Sequence, residues 1–244
     1  MIENISSHNQ IIDLLQKSER DSASWNDTIP KDNSSHILAF LNAHAITTAI
    51  KNPVFYKTLM DSSYLLRDGI GIKMAMTLFR MNPSKNLNGS DLITHILPAL
   101  ILKKIAIYGA SDVTLATTSQ KLKENGIHNI IDMQHGFHDF EFYLNAYKAK
   151  QPDVIILCMG MPKQEILASQ LYKQSENLLI ICGGGWADFY SGTKSRAPLW
   201  VRKLSLEWVH RLLREPKRLG KRYTIDIVYF FYVIIQARLK YRKI

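Results

Sequence analysis

Six short runs rich in Ile, Val and Leu recur along the chain: HILAFLNA, SYLLRDG, KKIAIYGAS, NIIDMQ, DVIILCMG and NLLIICGGG. Amphipathic stretches over residues 45–60, 70–80, 112–125, 139–150 and 163–175 separate them. Strands that are apolar throughout and joined by helical spacers belong to a parallel sheet covered on both faces. The expected class is therefore α/β, a Rossmann-like parallel sheet with helices on both faces. After GGGWADFYSGTKSRAP the alternation stops, and two basic helical segments follow, broken near Glu215-Pro216. A boundary near residue 195 divides an α/β domain, 1–194, from a basic C-terminal helical appendage, 195–244. No internal repeat or low-complexity segment interrupts this order.

Charge sharpens the division. The chain carries a net +10, yet residues 1–194 hold 18 Lys and Arg against 18 Asp and Glu, while 195–244 hold 13 against 3. In SLEWVHRLLREPKRLGKRY, residues 205–223, six cations from Arg211 to Arg222 interleave with Trp208, Leu212 and Leu213 at roughly helical spacing. Such density suits an anionic partner: nucleic acid, a phosphorylated ligand or an anionic membrane surface. The longest apolar run, IVYFFYVII at Ile227–Ile235, is far short of the roughly 20 residues a spanning helix needs; it reads either as a surface that lies on a bilayer or as buried core. Two cysteines in apolar strands make no disulfide framework, and the first twenty residues lack the apolar core of a signal peptide. The expectation is a reducing, cytoplasmic setting.

Ligands of open parallel sheets sit at the carboxyl ends of the strands. The residues there are Asn42 and His44; Asp68, Gly69 and Gly71; Gly109 and Ser111; Gly160, Met161, Pro162, Lys163, Gln164 and Glu165; and Gly183, Gly184, Gly185 and Asp188. Glycines, amides and carboxylates are what a polar, sugar-sized site requires. Asp68 reads either as a turn or capping aspartate or as a general base held at a strand end. YGAS at 108–111 and GGGWADF at 183–189 read as phosphate-contacting turns or as ordinary strand-to-helix turns; neither fits a dinucleotide or Walker fingerprint. Pro162 and Glu165 are ordinary helix-starting chemistry. Gln164 is less so, and its amide suits a sugar hydroxyl or a uracil edge. His135 and His138 beside Asp139 lack the further ligands of a metal site, and no Asp-x-Asp element stands at a strand end.

Together FLNAHAI, RDGIGIKMA, NGSDLI, IAIYGAS, CMGMPKQE, GGGWADFYSGTKSRAPLW and LEWVHRLLREPKRLGKRY resemble, in order and spacing across about residues 36–223, the bacterial WecG/TagA/CpsF glycosyltransferases, glycosyltransferase family 26. The resemblance implies an inverting, metal-independent enzyme. Its reaction would move an N-acetylmannosamine-type sugar from a UDP-sugar to a polyprenyl-diphosphate-linked acceptor, peripherally on the inner face of the membrane, in polysaccharide or teichoic acid synthesis. No cofactor is implied beyond the UDP-sugar substrate, and no nucleic acid; a homo-oligomer is compatible with it. Asp68 matches the family's proposed base, Gln164 and Asp188 its pocket residues, and Arg211 and Arg218 the appendage arginines that reach the diphosphate. Asn42, Gly69, Asn88, Asp91, Gly109, Gly160, Pro162, Lys163, Gly184, Arg196 and Arg214 complete the expected substrate-binding set. Phe40 departs from the family, which carries a Thr two residues before the Asn of LNA; a phenyl ring cannot hydrogen-bond a sugar, which leaves Asn42 as the nearest substitute or points to a different donor. Two other classes compete: a nucleic-acid or anionic-surface binding module, and a non-catalytic scaffold of a polysaccharide assembly complex.

Overall fold

The computed structural model describes residues 2–25, 29–30, 32–203, 207–217, 220 and 224–241. All six apolar runs are strands: β1 (His36–Leu41), β2 (Tyr64–Arg67), β3 (Ile105–Gly109), β4 (Ile130–Gln134), β5 (Val154–Cys158) and β6 (Leu179–Cys182). They form one sheet in the order β2-β1-β6-β5-β3-β4, with every neighbouring pair parallel. Successive side chains of a strand point to opposite faces, and the core divides accordingly. Leu38, Phe40, Leu66, Ile107, Ile156 and Ile181 pack on one face under α5 (Gly89–Ile96), α6 (Asp112–Glu124) and α9 (Trp186–Ser191). On the other face, Tyr108, Ile155, Leu157 and Ile180 lie under α7 (Phe140–Lys150) and α8 (Lys163–Tyr172). Ala39, Leu41 and Leu65 meet α1 (Ile2–Ser24), α2 (Ala43–Lys51), α3 (Pro53–Asp61) and α4 (Ile70–Leu78).

The amphipathic stretch 45–60 is two helices rather than one, because Asn52 ends α2 and its side chain then accepts from Phe55 N–H to start α3 at Pro53. The two sheet edges are treated differently. At β2 the outer backbone groups are satisfied by side chains of α1: Leu65 N–H donates to Asp21 Oδ2 (2.8 Å) and Arg67 N–H to Ser22 Oγ (2.9 Å). At β4 every residue is only half-buried; Asp132 and the open edge replace the full burial expected of this run.

Two short helices, α10 (Leu199–Lys203) and α11 (Glu207–Arg214), follow α9, and the last helix, α12 (Ile225–Tyr241), returns to the body. Phe230, Val233, Ile234 and Ala237 of α12 are buried in the same cluster as α1, α2 and α4, and Arg238 Nε donates to Leu78 O at 2.8 Å. The apolar run at 227–235 thus supplies core on one side, while Ile225, Val228, Tyr232, Ile235 and Leu239 form an exposed stripe on the other. None of the helices among the described residues is long and apolar enough to cross a membrane.

If α12 is part of the core, Phe230→Ala should cost about 3–5 kcal/mol of stability in denaturant unfolding, the usual range for a fully buried Phe. A loss below about 1 kcal/mol would place α12 outside the cooperative unit.

Candidate functional site

Because all six strands run the same way, every carboxyl end opens on one edge of the sheet. Along that edge stand Asp68 after β2, Asn42 after β1, Gly183–Gly185 after β6, Gly160–Pro162 after β5, Gly109–Ser111 after β3 and His135–His138 after β4. Adjacent β3 and β5 send their connections to opposite faces, α6 to one and α8 to the other. That is the arrangement which leaves a ligand crevice. Asp68 and Gly109 stand four strands apart in the sheet order, about 19 Å at the usual spacing of roughly 4.8 Å. The edge therefore matches an elongated ligand.

At the crevice the loops are stitched to one another. Gly109 adopts a left-handed φ of +129°, and a Cβ there would stand 2.3 Å from the Cys158 carbonyl carbon, so only glycine lets the β3 and β5 turns approach this closely. Ala110 N–H donates to Cys158 O (2.9 Å) and Gly136 N–H to Ala110 O (2.9 Å). Lys163 Nζ donates to Gly136 O (2.9 Å) and His138 O (2.8 Å), tying the β4 loop to α8. The Met161–Pro162 peptide, just before α8, is cis.

Gln164 is only 2% exposed. Its Oε1 accepts from Gly184 N–H (3.0 Å) and Gly160 N–H (3.3 Å), and its Nε2 donates to Glu165 Oε1 (2.8 Å). The amide that looked suited to a sugar or uracil edge instead joins the glycine turns of β5 and β6. Asn42 is similarly engaged, its Oδ1 capping α2 at Ala45 N–H (3.0 Å). Phe40 does not line the edge: its ring is buried in the core beneath Gly89, where an added Cβ would come within 3.1 Å of it.

Asn88, Asp91 and Arg196 come together, but largely to hold one another. Asp91 Oδ1 pairs with Arg196 Nη1 at 2.6 Å and with Arg202 Nη1 at 3.1 Å, Asn88 Nδ2 donates to Asp91 Oδ2, and Arg196 Nη2 donates to Asn88 Oδ1. Burial raises the Asp91 carboxyl, but hydrogen bonds from Arg196 and Asn88 and the charges of Arg196 and Arg202 outweigh it and hold it below the ordinary carboxylate range. This cluster fastens the segment after β6 to α5. Asp188 Oδ2 pairs with Lys194 Nζ at 2.6 Å. Arg214 stands exposed at the end of α11. Arg218 and the side chain of Arg211 lie outside the described residues.

Asp68 itself follows β2 directly, with its N–H donating to Leu41 O (2.8 Å) and Gly69 N–H donating to Asn86 Oδ1 (2.7 Å). Gly69 takes φ +91°, a value that favours glycine immediately beside the carboxylate. At the opposite end of the edge His135 stacks on His138 (4.0 Å between centroids) and His138 on Phe142 (3.7 Å), with Phe137 79% exposed beside them. Asp139 caps α7 through Phe142 N–H. The HGFHD stretch is therefore an aromatic surface. Among the described residues no three of His, Cys, Asp and Glu converge as a metal site would require. Burial pushes the Cys158 thiol up to about 12 and raises Cys182 well above its usual value, so neither is a nucleophile.

The whole chain from residue 12 to 244 matches the model of the Glycosyl transferase WecG/TagA/CpsF family. The chain belongs to that family. Relatives include the N-acetylglucosaminyldiphosphoundecaprenol N-acetyl-beta-D-mannosaminyltransferases of Staphylococcus aureus strains MW2 and NCTC 8325 / PS 47. Each is 27% identical over 206 residues, which cover 83% of this chain and 80% of the relative. The chain is thus a glycosyltransferase, and its scaffold is the Rossmann-like sheet expected of the family.

Burial pushes the Glu165 carboxyl up to about 7 against the hydrogen bond from Gln164. Its folded form holds a proton more tightly than the unfolded chain, so its contribution is fully favourable below the ordinary carboxylate range and is lost as pH rises towards 7. Glu165→Gln keeps an acceptor for Gln164 and cannot ionise. Its stability relative to the parent should be lowest below about pH 4 and grow by on the order of 3 kcal/mol by pH 8; a gap that does not change with pH would show that Glu165 does not titrate in this range.

Proposed function

We propose that the enzyme transfers an N-acetylmannosamine-type sugar from a UDP-sugar to a sugar carried on polyprenyl diphosphate, with inversion and without a metal, in the synthesis of a cell-surface polymer. The acceptor class and the donor sugar are supported by the names of the Staphylococcus relatives. The observation that carries the reaction is the single carboxyl edge, which has a carboxylate at one end, glycine turns in the middle and an aromatic surface at the other. The donor lies along it. Its uracil meets the exposed Phe137, where stacking on an aromatic face is worth about 1–3 kcal/mol per base in other systems. The diphosphate crosses the β5 and β6 turns, and the anomeric carbon faces Asp68.

Asp68 takes the proton of the acceptor hydroxyl as that oxygen's lone pair bonds the anomeric carbon. The bond from this carbon to the diphosphate oxygen breaks, and its electron pair leaves with UDP. Negative charge grows on the departing diphosphate, and Arg211, Arg214 and Arg218 neutralise it, since guanidinium pairs bidentately with phosphate oxygens. Deprotonation by a fixed carboxylate typically contributes 10²–10⁴-fold.

UDP release from UDP-N-acetylmannosamine and a water-soluble N-acetylglucosaminyl-diphosphate-lipid analogue tests the reading. Asp68→Asn should lower kcat about 100-fold or more with donor affinity little changed, and Phe137→Ala should raise donor KM with a smaller effect on kcat. Turnover should persist in EDTA. Parental turnover by Asp68→Asn would remove the base assignment, and activity lost in EDTA and restored by Mg²⁺ or Mn²⁺ would remove the metal-free mechanism.

On this reading the enzyme works at the inner membrane face, and α12 supplies the contact. Ile225, Val228, Tyr232, Ile235 and Leu239 recur at three- and four-residue spacing on its outward side, and the chain's excess positive charge is concentrated in the same C-terminal segment. This is the pattern of a helix lying in an anionic headgroup boundary. Val228→Glu with Tyr232→Glu should abolish sedimentation with anionic liposomes while leaving turnover of the soluble acceptor near the parental value. Retained sedimentation would show that another surface binds.

A further inference from the structure

Arg67 is the last residue of β2 and only 4% exposed. Burying a guanidinium is costly unless it is paired and hydrogen-bonded. Here Nη1 donates to Gly69 O (3.2 Å) and Nη2 to Ser84 O (3.2 Å), while Nε finds no partner among the described residues. Burial lowers the pKa of Arg67, and the negative charge of Asp68 opposes that shift. The remaining bonds around the turn are equally specific: Arg67 N–H is held by Ser22 Oγ, Arg67 O accepts from Leu87 N–H (2.9 Å), and Gly69 N–H is held by Asn86 Oδ1. Gly69, the residue that follows Asp68, is thus held at its N–H by Asn86 and at its carbonyl by Arg67. Both contacts lead to the 80–88 loop.

A Met or Leu would fill this volume without burying a charge. What an arginine adds is a planar fork that spans two carbonyls and a positive charge beside the carboxylate. We propose that Arg67 is the positioning residue of the transfer reaction: it locks the Asp68–Gly69 turn against the 80–88 loop and aims the carboxylate at the acceptor hydroxyl. The inference rests on the assignment of Asp68 as the base. Arg67 makes and breaks no bond itself. Its positive charge stands beside the carboxylate that must receive the proton, and its fork fixes the backbone turn that carries this carboxylate.

A residue that acts only through Asp68 has no effect once Asp68 is disabled, which a double-mutant cycle reads directly. With the full-length enzyme and the soluble acceptor, Arg67→Met should lower kcat by about 10- to 100-fold with donor KM within about two-fold of the parent, and Arg67→Lys should recover most of the loss. The double variant Arg67→Met/Asp68→Asn should match Asp68→Asn alone within about two-fold. Independent, multiplying losses, or parental kcat in a folded Arg67→Met, would overturn the role of Arg67 and leave the base assignment standing. Parental kcat in Asp68→Asn would remove both. Should Arg67→Met fail to fold, Asn86→Ala loosens the same turn from an exposed side chain. Its loss should likewise vanish in the Asp68→Asn background, and a loss that persists there would overturn the proposal.

Discussion

The structure depends on one constraint: six strands that all run in the same direction must find their hydrogen-bond partners within one sheet. Parallel pairing requires crossover helices, and those helices bury both faces. The faces are therefore spent on packing. Chemistry is left to the carboxyl edge, where each strand hands its chain to a turn. The close fit of Gly109 against Cys158, the amide of Gln164 between two glycine N–H groups and the reach of Lys163 to the β4 loop all keep that edge rigid. A transferase that must align a donor and an acceptor gains most from such rigidity, because orientation alone can supply a large share of the rate.

Much of this was legible in the residues. Each Ile- and Val-rich run became a strand, and the carboxylates and glycines after those runs did come to one edge. What remained hidden was long-range. Nothing near Asp21 or Ser22 signals that they would cover the outer backbone of β2 more than forty residues away. Asn88 and Asp91 gave no hint that Arg196 would return to them. Gln164 shows the limit from the other side: a polar residue after a strand looks ligand-facing, and only the fold reveals that backbone N–H groups had claimed it.

Local pattern described two aromatic features only in part. The histidines of HGFHD invited a question about metals, yet ring stacking with Phe142 makes that stretch an aromatic platform at the far end of the edge from Asp68. In α12 the apolar run reads equally as core or as membrane contact, because a sequence run does not state which face is turned inward. The helix is wide enough for both, with Phe230 in the core and Val228 outside it. The excess positive charge lies in the same C-terminal segment. One stretch of chain closes the protein core on one side and, in the proposed function, meets the membrane on the other.

The central claim is that a nucleotide donor lies along the carboxyl edge with its base towards β4 and its reacting end towards β2. Amide hydrogen exchange of the full-length protein with and without UDP tests it most directly. Protection concentrated in residues 109–112, 135–139, 160–164 and 183–187, with the turn at 68–69 unchanged until a sugar is attached, is the result the account predicts. Protection confined to α1 and α12, or appearing first at 68–69 with UDP alone, would contradict it.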